Sequence, residues 1–284
     1  MCFLIWGGRV RAKFAALLTP VKRPSISPLT SPLNIAQVVE LVDALASGAS
    51  DRKGREGSSP FLGTTPFPEI LLMAKTLFTP SGTIHLHRQD LPPELSLGPM
   101  VAVDTETMGL DPRRDRLCLV QLSSGDGTAH LVQITPGGGP SPHLKRMMED
   151  AAVVKLFHFA RFDLAALYQG INATVAPVRC TKIASKLVRT YTDRHGLKDL
   201  CRDLLGVEIS KQMQTSDWGA PDLSPEQCAY AASDVLHLHA LWARLEALLV
   251  REGRLDLAQD CYRFLPARGK LDLLGYEDPD LFAH

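Results

Sequence analysis

Three things are scarce in this 284-residue chain, and each scarcity narrows its class. Its six cysteines, at 2, 118, 180, 201, 228 and 261, include no Cys-x-x-Cys pair, which excludes a disulfide framework and a structural zinc site of the usual spacing and points to a reducing cytoplasm. There is no surplus of either charge, with 31 basic and 31 acidic side chains, so any nucleic-acid site has to be local rather than a property of the bulk field. No apolar run approaches the roughly 18 residues of a membrane span. The apolar opening, Met1 to Leu18, is interrupted by Arg9, Arg11 and Lys13 and lacks a small-residue cleavage site, so it predicts neither a signal peptide nor an anchor. What is abundant is apolar residues, 45% of the chain, enough for an ordinary core.

The texture changes along the chain. From Ser25 to Thr65 it is rich in Ser, Pro, Gly and Thr, with one short helix-like stretch at Ala36 to Leu45, and it predicts a poorly folding leader. From Met73 onward apolar runs alternate with turn signals, so the domain boundary is expected there, with a folded unit over 73–284. The leader over 1–72 takes eight basic and five acidic residues, leaving 23 and 26, a net of −3, on the folded unit.

The leader also reads as a translated transfer-RNA gene. Ala36 to Ser50 can be encoded by a string in which CTGGC and GCCAG pair around the loop TTCAGGT, as in a leucine anticodon arm. Gly57 to Thr65 can be encoded by one that contains TTCGA, then the complement of the opening GCCCAGG, then CCA. Native translation is therefore expected to start near Met73.

Met100 to Asp104, Leu117 to Leu122 and Thr128 to Ile134 are short apolar or alternating runs separated by Asp-Pro, Gly-Asp-Gly and Gly-Gly-Gly, the pattern of strands in sequential hairpins. Val153 to Phe159 is a further strand candidate. Helices are predicted over Arg161 to Tyr168, Cys180 to Arg189 and Leu197 to Leu205, the last stopped by Gly206. Ser224-Pro-Glu-Gln227 is a capping box that should open the longest helix, running to about Glu252. Strands followed by alternating helix and strand predict an α/β fold with a mixed sheet flanked by helices.

Asp104 and Glu106 lie two apart at the end of the most apolar strand, so their carboxylates leave one face of the sheet. Asp163 follows a strand and opens a helix, where the helix dipole favours a carboxylate with or without a function. Tyr230 and Asp234 are four apart, one turn from each other on a helix face. Singly, each has an ordinary structural explanation. In this order and spacing, Asp104-Thr-Glu106, His158-Phe-Ala-Arg-Phe-Asp163 and Tyr230-Ala-Ala-Ser-Asp234 resemble the three exonuclease motifs of the DEDD superfamily, in its tyrosine-bearing DEDDy branch. Gly196-Leu-Lys-Asp-Leu200, Lys211-x-x-Gln214 and Ser216-Asp-Trp218 followed by Leu-Ser-Pro-Glu-Gln resemble ribonuclease D within it.

The resemblance implies a ribonuclease H-like catalytic domain and a 3′→5′ exonuclease. Four acids, Asp104, Glu106, Asp163 and Asp234, would hold two divalent cations, Mg²⁺ or Mn²⁺, which carboxylates suit better than thiolates do. A slightly acidic folded unit would need those cations to approach a polyanion. Tyr230 would align the attacking water, since a tyrosine with an ordinary pKa near 10 is a poor base at neutral pH.

Thr105, Met108, Gly109 and Leu110 would line the pocket for the terminal nucleotide, with core packing as the competing role of Met108 and Leu110. His158, Gln214 and Trp218 are candidates for substrate contact, with structural roles equally open to them, and His237 and His239 are assigned to helix surface or core. Two departures stand out. Phe159 occupies a position where many relatives carry asparagine, which removes a polar contact near the site. The short stretch after the last expected helix resembles a compact form without the C-terminal helical RNA-binding domains of longer ribonuclease D proteins.

The expected partner is nucleic acid: RNA 3′ ends, with transfer-RNA processing as the usual family task. The rival readings are an exonuclease on DNA or short oligonucleotides and, in a different class, an inactive nucleic-acid-binding scaffold. Nothing in the sequence points to a protein partner or a membrane.

Overall fold

A computed structural model describes residues 75–79, 82–210, 212–276 and 281–282. The expected leader over 1–72, the start near Met73 and the motif residue Lys211 lie outside the described residues. Among those described, seven strands form one mixed sheet in the order β1-β2-β5-β4-β3-β6-β7.

The centre of the sheet is a meander of β3 (Met100–Thr107), β4 (Leu117–Ser123) and β5 (Thr128–Gln133), antiparallel throughout, as the hairpin signals predict. β1 (Lys75–Thr79) and β2 (Gly82–Arg88) form a hairpin that joins β5 in parallel, while β6 (Val154–Phe157) and β7 (Val178–Cys180) extend the other edge in parallel with β3. Every residue of β4 is buried, as a central strand covered on both faces requires.

The helices are α1 (Pro142–Glu149), α2 (Ala160–Ile171), α3 (Thr181–Val188), the single turn α4 (Leu197–Leu200), α5 (Pro225–Leu236), α6 (Leu238–Arg251) and α7 (Leu255–Leu273). None is long and apolar enough to cross a membrane. The capping box at Ser224 forms as expected, with Ser224 Oγ accepting from Gln227 N–H and Gln227 Oε1 accepting from Ser224 N–H.

The single long helix expected from Ser224 to Glu252 is instead two, α5 and α6, broken at His237 (φ −99, ψ −7). The two halves bury different partners. α5 crosses β3, β4 and β5, whereas α6 packs on α3, so one straight helix would leave one apolar face uncovered.

The sequence pattern also gave no sign of α7, whose periodicity is blurred by Pro266 and Gly269. Gly269 is there because α7 lies close on α2: a Cβ at this position would come within 3.3 Å of the Ala165 nitrogen. Arg161 on α2 makes a two-pronged ion pair with Asp272 of α7, at 2.6 and 2.8 Å. Leu197 to Leu205, expected as one α-helix, runs from α4 into a π-helical turn, Cys201–Leu205, and Gly206 in the left-handed region (φ 70) stops it.

Candidate active site

β3 pairs with β6 only through Met100, Val101 and Ala102. Beyond that point β3 continues beside β4 alone, so a crevice opens where the sheet's neighbours part, the place where open α/β sheets tend to put ligands. The alternation of β3 sends Ala102, Asp104 and Glu106 to the face that α5 crosses and Val101, Val103 and Thr105 to the other. A register shift between Glu106 and Thr107 ends the regular pairing.

α5 brings Asp234 onto the same crevice. One carboxylate oxygen from each of Asp104, Glu106 and Asp234 lies within 4.8 Å of the others. Asp163, in the first turn of α2, joins from the side of Thr105, whose hydroxyl donates to Asp163 Oδ1 at 2.7 Å. Tyr230 stands one turn before Asp234, close enough to Asp234, Glu106 and Asp104 for their charges to act on its hydroxyl.

Crowding acids in a partly desolvated crevice disfavours their charged forms. Burial, followed by the charges of Asp163, Asp234 and Glu106, holds Asp104 well above the usual carboxylate range. Glu106 is pushed up to about 8 by burial and then by Asp234 and Asp163. Burial also raises Asp163 to about 7 against the opposing hydrogen bond from Thr105, and raises Asp234 to about 7 against a smaller lowering influence of the neighbouring Tyr230 hydroxyl. The Tyr230 hydroxyl is itself pushed above its ordinary value, by burial first and then by Asp234, Glu106 and Asp104.

The remaining residues singled out in the sequence fall into two groups. Thr105 is buried and turned toward Asp163 rather than into the crevice. Trp218 is buried with its ring centroid 6.0 Å from that of Tyr230, so it backs the tyrosine. His158 accepts or donates one hydrogen bond with Thr181 Oγ1 at 2.8 Å, and burial lowers its pKa to about 3; it is a neutral, anchored ring. His239 meets the Met100 carbonyl at 3.1 Å and is a packing residue, as assigned.

Met108 and Leu110, by contrast, are exposed, at 52% and 91%, and Gln214 is exposed on a turn. Gly109 sits where any Cβ would fall 2.3 Å from Asp115 Oδ2. Asp115 in turn receives the Asp111 N–H at 3.0 Å, so glycine lets this loop fold onto its own cap. Leu110, Phe159 and Arg113 border a cleft of about 280 Å³.

Phe159 has a backbone reason for departing from asparagine. It stands just before α2 in the left-handed region (φ 74, ψ 44), which asparagine adopts readily and phenylalanine does not. Its ring is 46% exposed and carries the Lys182 ammonium 4.1 Å from its centroid.

A mixed sheet flanked by helices, with converging carboxylates at the end of β3, defines a nuclease of the ribonuclease H-like class. Residues 88–250 match the family described as 3′-5′ exonuclease. The chain belongs to that family, as a ribonuclease D-like member with the DEDD motifs.

Ribonuclease D of Gluconacetobacter diazotrophicus is 38% identical over 158 residues, which are 56% of this chain and 40% of that protein. This chain thus spans about two fifths of the length of that curated relative. Among solved structures, Brucella melitensis NrnC bound to pGG is 55% identical, covers 72% of this chain and 100% of its own, and superposes with a TM-score of 0.69. The same protein with bound Mg²⁺ is 53% identical over 71% of this chain and 98% of its own, with a TM-score of 0.68.

The cofactor of the family, a pair of divalent cations, fits the residues present. Asp104, Glu106 and Asp234 offer hard oxygen donors close enough to share a cation, the donor set such ions prefer. The thiol electrostatically coupled to Asp234, Cys201, is pushed up to about 12 by burial, so no thiolate competes.

Proposed function

We propose that this chain removes nucleotides one at a time from the 3′ ends of short oligoribonucleotides, with Asp104, Glu106, Asp163 and Asp234 holding the divalent cations. The observation that carries the reading is the convergence of these acids and Tyr230 in one crevice. A relative 55% identical over its whole length was solved with pGG, which favours short substrates. A second reading is trimming of structured RNA, the processing in which Escherichia coli RNase D, 27% identical, is involved, with transfer-RNA precursors as the substrate that the family resemblance implies.

Cations bound at the acids would activate the attacking water and neutralise charge on the leaving 3′-oxygen. The protein's own contribution is orientation. Thr105 fixes the Asp163 carboxylate, and Tyr230 stands one turn from Asp234 beside the place where water must attack. With its pKa raised, the Tyr230 hydroxyl stays protonated at neutral pH and acts as a hydrogen-bond donor that aligns water or phosphate, not as the base. Trp218 behind Tyr230 limits its movement. Met108 and Leu110, exposed on the loop after β3, offer apolar surface to the terminal bases, and Gln214 and His158 are assigned as minor substrate contacts.

The test compares hydrolysis of a 5′-phosphorylated dinucleotide, single-stranded RNA, 3′-extended transfer RNA and single-stranded DNA, each with Mg²⁺ and with Mn²⁺. The reading expects the dinucleotide to have the highest kcat/KM. A preference for extended transfer RNA overturns it in favour of the second reading, and cation-independent cleavage overturns the role of the acids.

A further inference from the structure

Gln121 sits in the middle of β4, among the described residues the one strand that is buried throughout. Its side chain is 0% exposed, and neither Nε2 nor Oε1 has a hydrogen-bond partner. A carboxamide taken from water and left unbonded costs more than an apolar side chain of the same shape, so packing alone does not account for glutamine here. Two other polar side chains on this face of the sheet each make at least one hydrogen bond, although Gln133 Oε1 is also without a partner. Ser123 donates to the Thr128 carbonyl at 2.7 Å, and Gln133 donates to the Ala220 carbonyl at 2.8 Å.

The cross-strand partner of Gln121 is Asp104. Registered residues of an antiparallel pair share a face, with Cβ atoms roughly 5 Å apart. A glutamine reaches across that distance, and both residues lie on the side that α5 covers. Ligands to a cation are commonly held by a neighbouring hydrogen bond that fixes their orientation.

We propose that Gln121 is a positioning residue, its Nε2–H donating to the Asp104 carboxylate oxygen turned away from the cation and so fixing the ligand when the site is loaded. The proposal rests on the reading of Asp104 as a cation ligand.

The experiment titrates Mn²⁺ into the metal-free full chain by calorimetry, records Tm, and measures kcat and KM on a 5′-phosphorylated dinucleotide. Gln121→Met keeps the volume and removes the hydrogen bond. It is expected to leave the metal-free Tm unchanged or raised, to weaken Mn²⁺ by about 10- to 100-fold, and to lower kcat with KM within about two-fold. Leu119→Met, next along the same face, is expected to leave Mn²⁺ affinity at the wild-type level. Wild-type Mn²⁺ affinity in Gln121→Met overturns the proposal, as does an equal loss in Leu119→Met, which would make the effect one of packing. Unchanged Mn²⁺ binding in Asp104→Ala would instead remove the acid-cluster reading and this role with it.

Discussion

The sheet buries two clusters of ionisable side chains, and they solve the same problem in opposite ways. On β2 and β5, His85, His87 and His130 stack on one another, with centroid separations of 5.0 Å for His85 and His130 and 5.3 Å for His87 and His130. His87 Nε2 and His130 Nδ1 share a hydrogen bond of 3.0 Å. Burial, with smaller contributions from the neighbouring imidazoles, lowers His87 and His130 to about 4, so these two rings are neutral across the physiological range.

The acids around β3 are instead raised by burial and by one another. An imidazole sheds its charge by losing a proton and can then hydrogen-bond to another. A carboxylate group near neutral pH has to acquire protons or a cation. The histidine cluster needs no charged partner once its rings are neutral, although His87 Nδ1 makes no hydrogen bond, while the acid cluster is built for something positive.

The largest break in that contrast comes from the acids. Asp104→Ala is expected to lower kcat on a 5′-phosphorylated dinucleotide by ~10³-fold or more, about 4 kcal/mol of barrier, with the circular dichroism spectrum unchanged. Asp234→Ala should do the same while slightly raising the metal-free Tm, because one like charge leaves the crowd. Near-wild-type turnover in Asp104→Ala would end the assignment.

Tyr230→Phe keeps the ring against Trp218 and loses the donor, so a drop in kcat of about 10²-fold is expected. Substrate affinity, measured with Ca²⁺ in place of the active cation, should be little changed. Loss of binding would make Tyr230 a substrate contact.

At the other cluster, His87→Leu should leave turnover within about two-fold of wild type. By stranding the His130 ring nitrogen, it should cost about 1–3 kcal/mol in a urea unfolding experiment. A large loss of turnover would show the two clusters to be coupled.

The pH dependence separates them in the same protein. Asp163 and Asp234 are raised to about 7 and Glu106 to about 8. Their contribution to stability is therefore complete below the ordinary carboxylate range and is lost as pH rises through 7 to 8. His87 and His130 are lowered, so their contribution is complete above 6.5 and is lost as pH falls toward about 4. The buried Lys155, lowered to about 8 by burial, adds stability only as pH rises beyond that value. Between pH 6.5 and 8 the acids dominate, and the metal-free Tm is expected to fall by a few degrees, on the order of 1–2 kcal/mol. Saturating Mg²⁺ should flatten the slope, and a fall that persists with Mg²⁺ would detach it from the acids.

The smallest expected effect is at the edge of the site. Phe159→Asn relieves a left-handed backbone and gives up the contact with Lys182. A net gain of up to about 1 kcal/mol is expected by thermal unfolding, and a loss would mean that the ring contact outweighs the strain.

What the sequence decided by itself was whatever depends on local spacing. Period two on β3 put Asp104 and Glu106 on one face, Gly206 stopped a helix, and Ser224 with Gln227 capped another. The order of the motifs also marked Asp104, Glu106, Asp163 and Asp234 as candidate ligands, because that order survives whatever path the chain takes between them. Burial across long separations was decided only by the tertiary structure.

The break at His237 follows from two helix faces with different partners, and α7 from a groove on α2 shaped for Gly269. Gln121 could have been noticed as the one amide in LCLVQLS. Only the register with Asp104 shows which residue it faces, because cross-strand partners are set by how the hairpin closes and not by distance along the chain.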